Sequence, residues 1–262
     1  MTAAQDEAVA PTHLARVTAA EWSRIWSVRS SWILASVTAA AVIAFGALVG
    51  YSTPDDLSTV TPGSTAWDGG QPSALLALFG ILAFAAVTAT ADYGNGAILT
   101  TLQWTPQRRL LLVARSGVIV LTATALATGL VAGAALTVRA FLPALALSPA
   151  DAFDVLGGLA VLFACTALMT VGFGLLLRST AGTLVTVIAL VLVLPMLLAQ
   201  LGYPWSTQIS THLPGSSALY LIFGEGPSDD MTVASARTTL GLWALGATVA
   251  GGLRLLRTDA NS

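Results

Sequence analysis

Residues 182–201, GTLVTVIALVLVLPMLLAQL, form an apolar run that contains no ionisable side chain. A helix of about 20 residues crosses the hydrocarbon core of a bilayer, which is about 30 Å thick. Five other runs of comparable or greater length lie at 32–51, 73–91, 110–138, 155–177 and 238–256. The sequence therefore predicts an all-α membrane protein whose six transmembrane helices form a single domain over residues 32–257.

The overall composition supports the same class. Hydrophobic residues make up 55% of the chain and charged residues only 9%, whereas about a quarter of a typical soluble domain is charged. A soluble globule is excluded on this ground, and with it a soluble nucleic-acid-binding protein.

The cationic side chains indicate the orientation of the helices. All eleven are arginine, and nine fall in segments that lie on the same side of the six spans: Arg16, Arg24, Arg29, Arg108, Arg109, Arg115, Arg178, Arg254 and Arg257. Short arginine-rich loops stay in the cytoplasm, so both termini are predicted to be cytoplasmic. Most of the acidic residues then face outward: Asp55, Asp56, Asp68, Asp151, Asp154, Glu225, Asp229 and Asp230.

Several kinds of chemistry are excluded by missing residues. A chain without lysine cannot contain the G-x-x-x-x-G-K-[ST] loop that binds nucleotide phosphates. Cys165 is the only cysteine, and His13 and His212 fall on opposite sides of the membrane, so no metal site is expected. The middle thirds of the spans carry no Asp, Glu, Arg or His, which argues against an ion-coupled carrier. Arg115, near a span end, is expected to extend its head group to the interface.

The segment before the first span predicts an interfacial helix over 14–31, after a flexible tail at 1–13. Its apolar arc opposes a polar one, although Glu21 and Arg29 interrupt the apolar side. Tryptophan and arginine together suit the headgroup layer. The alternative is that these residues only fix the topology. The apolar arc consists of Leu14, Val17, Trp22, Ile25, Trp26 and Val28.

The segment 92–109, DYGNGAILTTLQWTPQRR, is too polar for burial in lipid and is predicted to lie in the cytoplasm. Gly94, Asn95 and Gly96 favour a turn, and Ala97 to Trp104 can form two helical turns before Pro106. A short helix parallel to the membrane follows. Residues 202–236 are amphipathic enough to enter the outer leaflet, and the spacings Gly46/Gly50 and Gly129/Gly133 permit close helix crossings.

Four motifs resemble the permease subunit of ATP-binding cassette exporters of the second membrane class. The first is Glu21-Trp22, Arg24 and Ser27 to Trp32, similar to E-W-x-K-x-x-S-x-R-S-x-W. The second is similar to E-Y-x-x-G-x-I-x-x-x-L-x-x-x-P-x-R, with Asp92 in place of the glutamate. It comprises Asp92, Tyr93, Gly96, Ile98, Thr101, Leu102, Pro106 and Arg108, with Arg115 where a lysine often sits. The remaining motifs are Leu177 to Gly182 with Pro195, and Leu213-Pro214.

The resemblance implies a transport subunit of a bacterial plasma membrane, without an enzymatic site or cofactor of its own. Two permease chains, identical or different, would pair and dock on two cytoplasmic ATPase subunits that bind ATP and magnesium. The ATPase contacts would be the interfacial helix, with Glu21, Trp22, Arg24, Trp26 and Arg29, and the segment that contains Asp92, Tyr93, Gly96, Ile98, Leu102, Trp104, Pro106, Arg108 and Arg109.

The substrate is left open among a drug, a peptide antibiotic and a lipid. Two other functions also stay open at this point. One is a non-transporting immunity or sensor subunit that binds a ligand through its external loops. The other is an integral-membrane lipid-modifying enzyme, although the pairs Asp55-Asp56 and Asp229-Asp230 lack the D-x-x-x-D spacing that places two carboxylates on one helix face.

Overall fold

The computed structural model describes residues 3–53, 63–94 and 108–257. In these ranges the chain is helical, with one isolated bridge between Thr65 and Ala146. The helices are α1 (Ala3–Ser27), α2 (Arg29–Ser52), α3 (Ala66–Gly70), α4 (Ala74–Gly94), α5 (Arg108–Phe141), α6 (Pro149–Leu177), α7 (Thr180–Ile188), α8 (Leu194–Gln200), α9 (Pro204–Thr211), α10 (Pro214–Phe223) and α11 (Val233–Arg257).

Six helical segments are long and apolar enough to cross a membrane, in agreement with the sequence prediction. The boundaries differ from the predicted ones by a few residues at most ends. The second span is longer than expected, because α3 and a 3₁₀ turn at Gln71–Ser73 extend it toward its start. The six segments are Arg29–Ser52, Ala66–Tyr93, Leu110–Phe141, Pro149–Leu177, Thr180–Gln200 and Val233–Arg257.

Glycines set how closely the helices approach. A Cβ on Gly172 of α6 would overlap the backbone of Ala247 on α11, and a Cβ on Gly251 would overlap the Gly172 carbonyl. On α2, a Cβ on Gly46 would lie 2.8 Å from the Ala134 carbonyl oxygen of α5. The Gly46/Gly50 spacing therefore marks a close crossing, whereas Gly129 of the other predicted pair has no atom near its Cβ position.

The fifth span changes its helical pitch in the middle. A π-helical turn at Ala189–Val193 joins α7 to α8, and Pro195 follows it. Proline lacks an amide hydrogen, so it cannot donate to the carbonyl of Val191 four residues earlier. Gly215 of α10 packs directly against that carbonyl, where a Cβ would overlap it. Residues 202–236 thus contain two short helices, of which α10 packs closely against the fifth span.

The bundle has two chemically different ends. Contacts between Arg24 and Asp92, between Arg178 and Tyr93, and between Arg254 and Leu176 bring the predicted cytoplasmic segments together. This end is called the arginine-rich end below. At the opposite end Trp67 donates to the Ser148 carbonyl and Gln71 to the Ile222 carbonyl. Arg139 and Arg237 belong to the opposite end, as the sequence predicted.

Candidate functional site

Four charged side chains from three helices meet at the arginine-rich end. Glu21 and Arg24 lie one turn apart on α1, Asp92 lies near the end of α4, and Arg115 lies seven residues into α5. This group is called the charge cluster below. Glu21, Asp92 and Arg115 are buried, with 6%, 7% and 3% of their surface exposed, and Arg24 is partly buried. The two acids and two bases together carry no net charge.

Each arginine bridges both carboxylates. Arg115 Nη2 lies 3.1 Å from Glu21 Oε1 and 2.6 Å from Asp92 Oδ2, and its Nε donates to Glu21 Oε2 at 3.3 Å. Arg24 Nη1 donates to Asp92 Oδ1 at 2.7 Å, and its Nε donates to Glu21 Oε2 at 3.0 Å. Arg24 Nη2 also donates to the Thr88 carbonyl at 3.2 Å. The cluster therefore joins α1, α4 and α5 through charged hydrogen bonds.

The position of Arg115 corrects the sequence expectation. Its guanidinium does not extend to the interface, because α1 lies across the start of α5 and brings Glu21 to it. Glu21 is equally part of this arrangement. It was expected to interrupt an apolar arc, but it lies on the buried stripe of α1 together with Ile25. Trp22 and Leu14, expected on the same arc, are exposed at 48% and 37%.

Helix α1 differs from the predicted interfacial helix at both ends. It begins at Ala3, inside the segment expected to be a flexible tail, and it ends at Ser27 because Val28 adopts an extended conformation (φ −99°, ψ 129°). The exposed Arg29 then begins α2. The break brings Trp32 back over α1, where its Nε1 donates to the Trp26 carbonyl at 2.9 Å.

Aromatic packing holds the joint between α1 and α2 against the bundle. The Trp26 ring lies 4.9 Å from Trp32, 6.0 Å from Trp22 and 6.4 Å from Phe84 of α4, measured between centroids. Such tilted and edge-on pairs contribute about 0.5–1.5 kcal/mol each beyond the area they bury. Trp26 therefore fixes α1 to the second span next to the charge cluster.

The junction between the fourth and fifth spans also contacts this region. Arg178 takes a left-handed conformation (φ 56°) at the end of α6, and Ser179 caps α7 by accepting from the Gly182 amide at 3.2 Å. The Arg178 guanidinium lies 5.7 Å from the centre of the Tyr93 ring, a cation–π contact. Arg178 therefore links the junction between the fourth and fifth spans to the end of α4.

Part of the predicted ATPase contact lies outside the described residues: Gly96, Ile98, Leu102, Trp104 and Pro106. Arg108 and Arg109 form the first turn of α5, and their side chains are likewise outside the description. The charge cluster lies on both flanks of this segment, with Asp92 before it and Arg115 after it.

The carboxylates of the charge cluster are fully paired. Every carboxylate oxygen in it accepts from an arginine. In the described ranges no three His, Cys, Asp or Glu side chains are grouped so that they could hold a metal ion.

No model of a known protein family matches this sequence, and no curated protein matches it either. The likeness to export permeases therefore rests on the four motifs and on the six-span arrangement.

Proposed function

We propose that this chain is the membrane-spanning permease subunit of an ATP-driven exporter, powered by a separate ATPase chain. The observation that carries the proposal is the charge cluster, which joins Glu21 and Arg24 of the first motif to Asp92 of the second. The resemblance assigns both motifs to the ATPase contact. Two elements that lie 68 residues apart in sequence are thus linked at the place where a motor would act.

The proposed mechanism follows from where the segment 95–107 is attached. Its flanks are the ends of α4 and α5, and the charge cluster ties both helices to α1. A displacement of the segment by a closing ATPase dimer would therefore move α1, α4 and α5 together rather than one helix alone. That movement tilts the second and third spans and opens a path at the interface with a second permease chain.

The orientation is part of this proposal. The arginine-rich end faces the cytoplasm of a bacterial cell, since arginines are retained on that side of the plasma membrane. An ATPase that docks there meets α1 and the segment 95–107. Since the chain has no lysine, the phosphate-binding loop has to come from the partner.

The test is purification of the tagged chain from its native membranes, with measurement of ATP hydrolysis in the eluate. We expect a co-purifying chain that contains the phosphate-binding loop. Trp104→Glu should remove this chain and the hydrolysis while leaving the permease inserted, because a carboxylate would disrupt an apolar contact. Tyr51→Glu is the control, since Tyr51 is an exposed aromatic residue at the opposite end, and it should retain both.

Two results would contradict the proposal. One is the absence of any nucleotide-hydrolysing partner from preparations of the unaltered protein. The other is equal ATPase recovery with Trp104→Glu and with the unaltered chain. The first would favour a sensor or an enzyme, and the second would remove the segment 95–107 from the contact.

A further inference from the structure

Two adjoining cavities open at the end of the bundle opposite the charge cluster. One, of about 460 Å³, is lined almost entirely by polar side chains, and the other, of about 490 Å³, is lined mainly by apolar and aromatic ones. Gln208 and His212 of the α9 region line both. Each volume lies in the range of small-molecule sites. The polar cavity is lined by Thr207, Gln208, Thr211, His212, Ser228, Asp230, Met231, Ser235 and Thr239.

The two cavities take their α11 residues from different turns of the helix. Ser228 and Asp230 of the polar cavity precede the first residue of the helix, Val233, and Thr239 follows it by about 9 Å of helical rise. Trp243 of the apolar cavity lies about 15 Å along the helix. Along α11 the lining therefore changes from polar residues to an aromatic one.

The aromatic lining is held in place. Trp243 Nε1 donates to the His212 carbonyl at 2.8 Å, which fixes its ring against the turn between α9 and α10. Trp205, half exposed, stacks on Tyr203 with 6.1 Å between ring centroids and 12° between planes. With Ile209 and Leu213 these rings form an apolar wall that is open toward the surface.

The charge of the site is negative. Among the described residues that line the two cavities, Asp230 is the only carboxylate and no arginine is present. Arg237, one turn into α11, lines a different cavity together with Asp154. His212 has its Nδ1 within 2.9 Å of the Gln208 carbonyl oxygen, an acceptor, so Nδ1 carries the hydrogen. In neutral His212 the remaining nitrogen, Nε2, is then an acceptor as well.

We propose that these cavities form one binding site for a soluble cationic amphiphile. The positive head group lies in the polar cavity beside Asp230, and the apolar part lies on Trp205 and Trp243. The carboxylate attracts the positive head group, and burial against the aromatic rings stabilises the apolar part. The inference adds a substrate class to the proposed function. It rests on that function for the transport of the ligand but not for its binding.

Binding to the chain alone tests the inference independently of any ATPase. The full chain in phosphatidylglycerol nanodiscs is titrated with octyltrimethylammonium by calorimetry, with empty nanodiscs to subtract partitioning. Saturable binding is expected, and octyl sulfate at the same concentrations should not bind. Binding of the anion as tightly as the cation would overturn the proposal.

A matched pair of variants locates the site. Asp230→Asn should weaken binding roughly tenfold, the change that about 1.4 kcal/mol produces. Asp229→Asn removes the same charge from the neighbouring residue, which lines neither cavity, and should leave binding within about twofold, less than 0.5 kcal/mol. Equal losses with the two variants would show a general surface attraction and overturn the site.

Two further binding measurements test which kind of molecule occupies the site. Trp205→Ala should weaken octyltrimethylammonium but not tetramethylammonium, which has no chain to lie on the ring. Equal effects on both ligands would contradict the assignment of the apolar part. Nanodiscs that contain phosphatidylethanolamine supply a lipid ammonium group. If this lipid abolishes binding, the occupant is a membrane lipid, and the soluble amphiphile is ruled out.

Discussion

Arg115 is the most deeply buried charged residue in the described part of the chain. Only 3% of its surface is exposed, and its guanidinium forms ion pairs with two carboxylates on different helices. Charged groups within membrane spans are costly and usually pair with one another. The sequence therefore already indicated that Arg115 needs an acidic partner, and Glu21 and Asp92 are among the acids predicted at the same end of the protein.

Removal of Arg115 should therefore be far more damaging than removal of an exposed arginine. Arg115→Ala leaves Glu21 and Asp92 buried without this counter-charge, which is expected to lower stability by about 3–5 kcal/mol. Arg29→Ala at the same end is the control, because Arg29 is exposed. Thermal unfolding of the detergent-solubilised chains measures the difference. Similar losses for the two variants would show that the buried pairs contribute little.

For single helices, the sequence patterns predicted where each helix begins and ends better than which of its faces packs against the bundle. The apolar runs located the six spans, but the face of α1 that packs inward contains Glu21 and Ile25 together with Trp26, whereas Trp22 is exposed. A helical wheel cannot show this, because the partner of Glu21 lies on α5, 94 residues away. The π-helical turn is likewise set by Pro195 together with Gly215 of another helix.

Glycine substitutions test the close helix approaches. Gly215→Ala and Gly172→Ala should each lower stability by about 1–3 kcal/mol or more, because the added methyl group would overlap a backbone carbonyl region. Gly241→Ala is the matched control, since nothing lies near its Cβ position. It should be neutral or stabilising by about 0.5–1 kcal/mol, as alanine favours a helix over glycine. A stability ranking in which Gly241→Ala is the most damaging would contradict these packing contacts.

The whole molecule separates its charges between two ends, with the charge cluster at one and the proposed amphiphile site at the other. Nine arginine positions belong to the first end by sequence, and Asp151, Asp154, Glu225 and Asp229 belong to the second. The proposed function uses both ends, with an ATPase at the first and a ligand at the second. It also makes the orientation directly testable.

Single cysteines can establish which end faces outward. In a Cys165→Ala background, Asp229→Cys should react with a membrane-impermeant maleimide in intact cells. Ala15→Cys, on an exposed position of α1, should react only after the membrane is permeabilised. Labelling in the reverse order would invert the topology and place the arginine-rich end outside.

The sequence by itself determined the fold class, the six spans and the division of charge between the two ends. These depend on local properties, namely the length of an apolar run and the cost of moving arginine across a bilayer. The motifs also named all four members of the charge cluster, Glu21, Arg24, Asp92 and Arg115, as separate positions. Only the tertiary structure decided that they meet, because pairing between distant residues depends on how each helix rotates and crosses its neighbours.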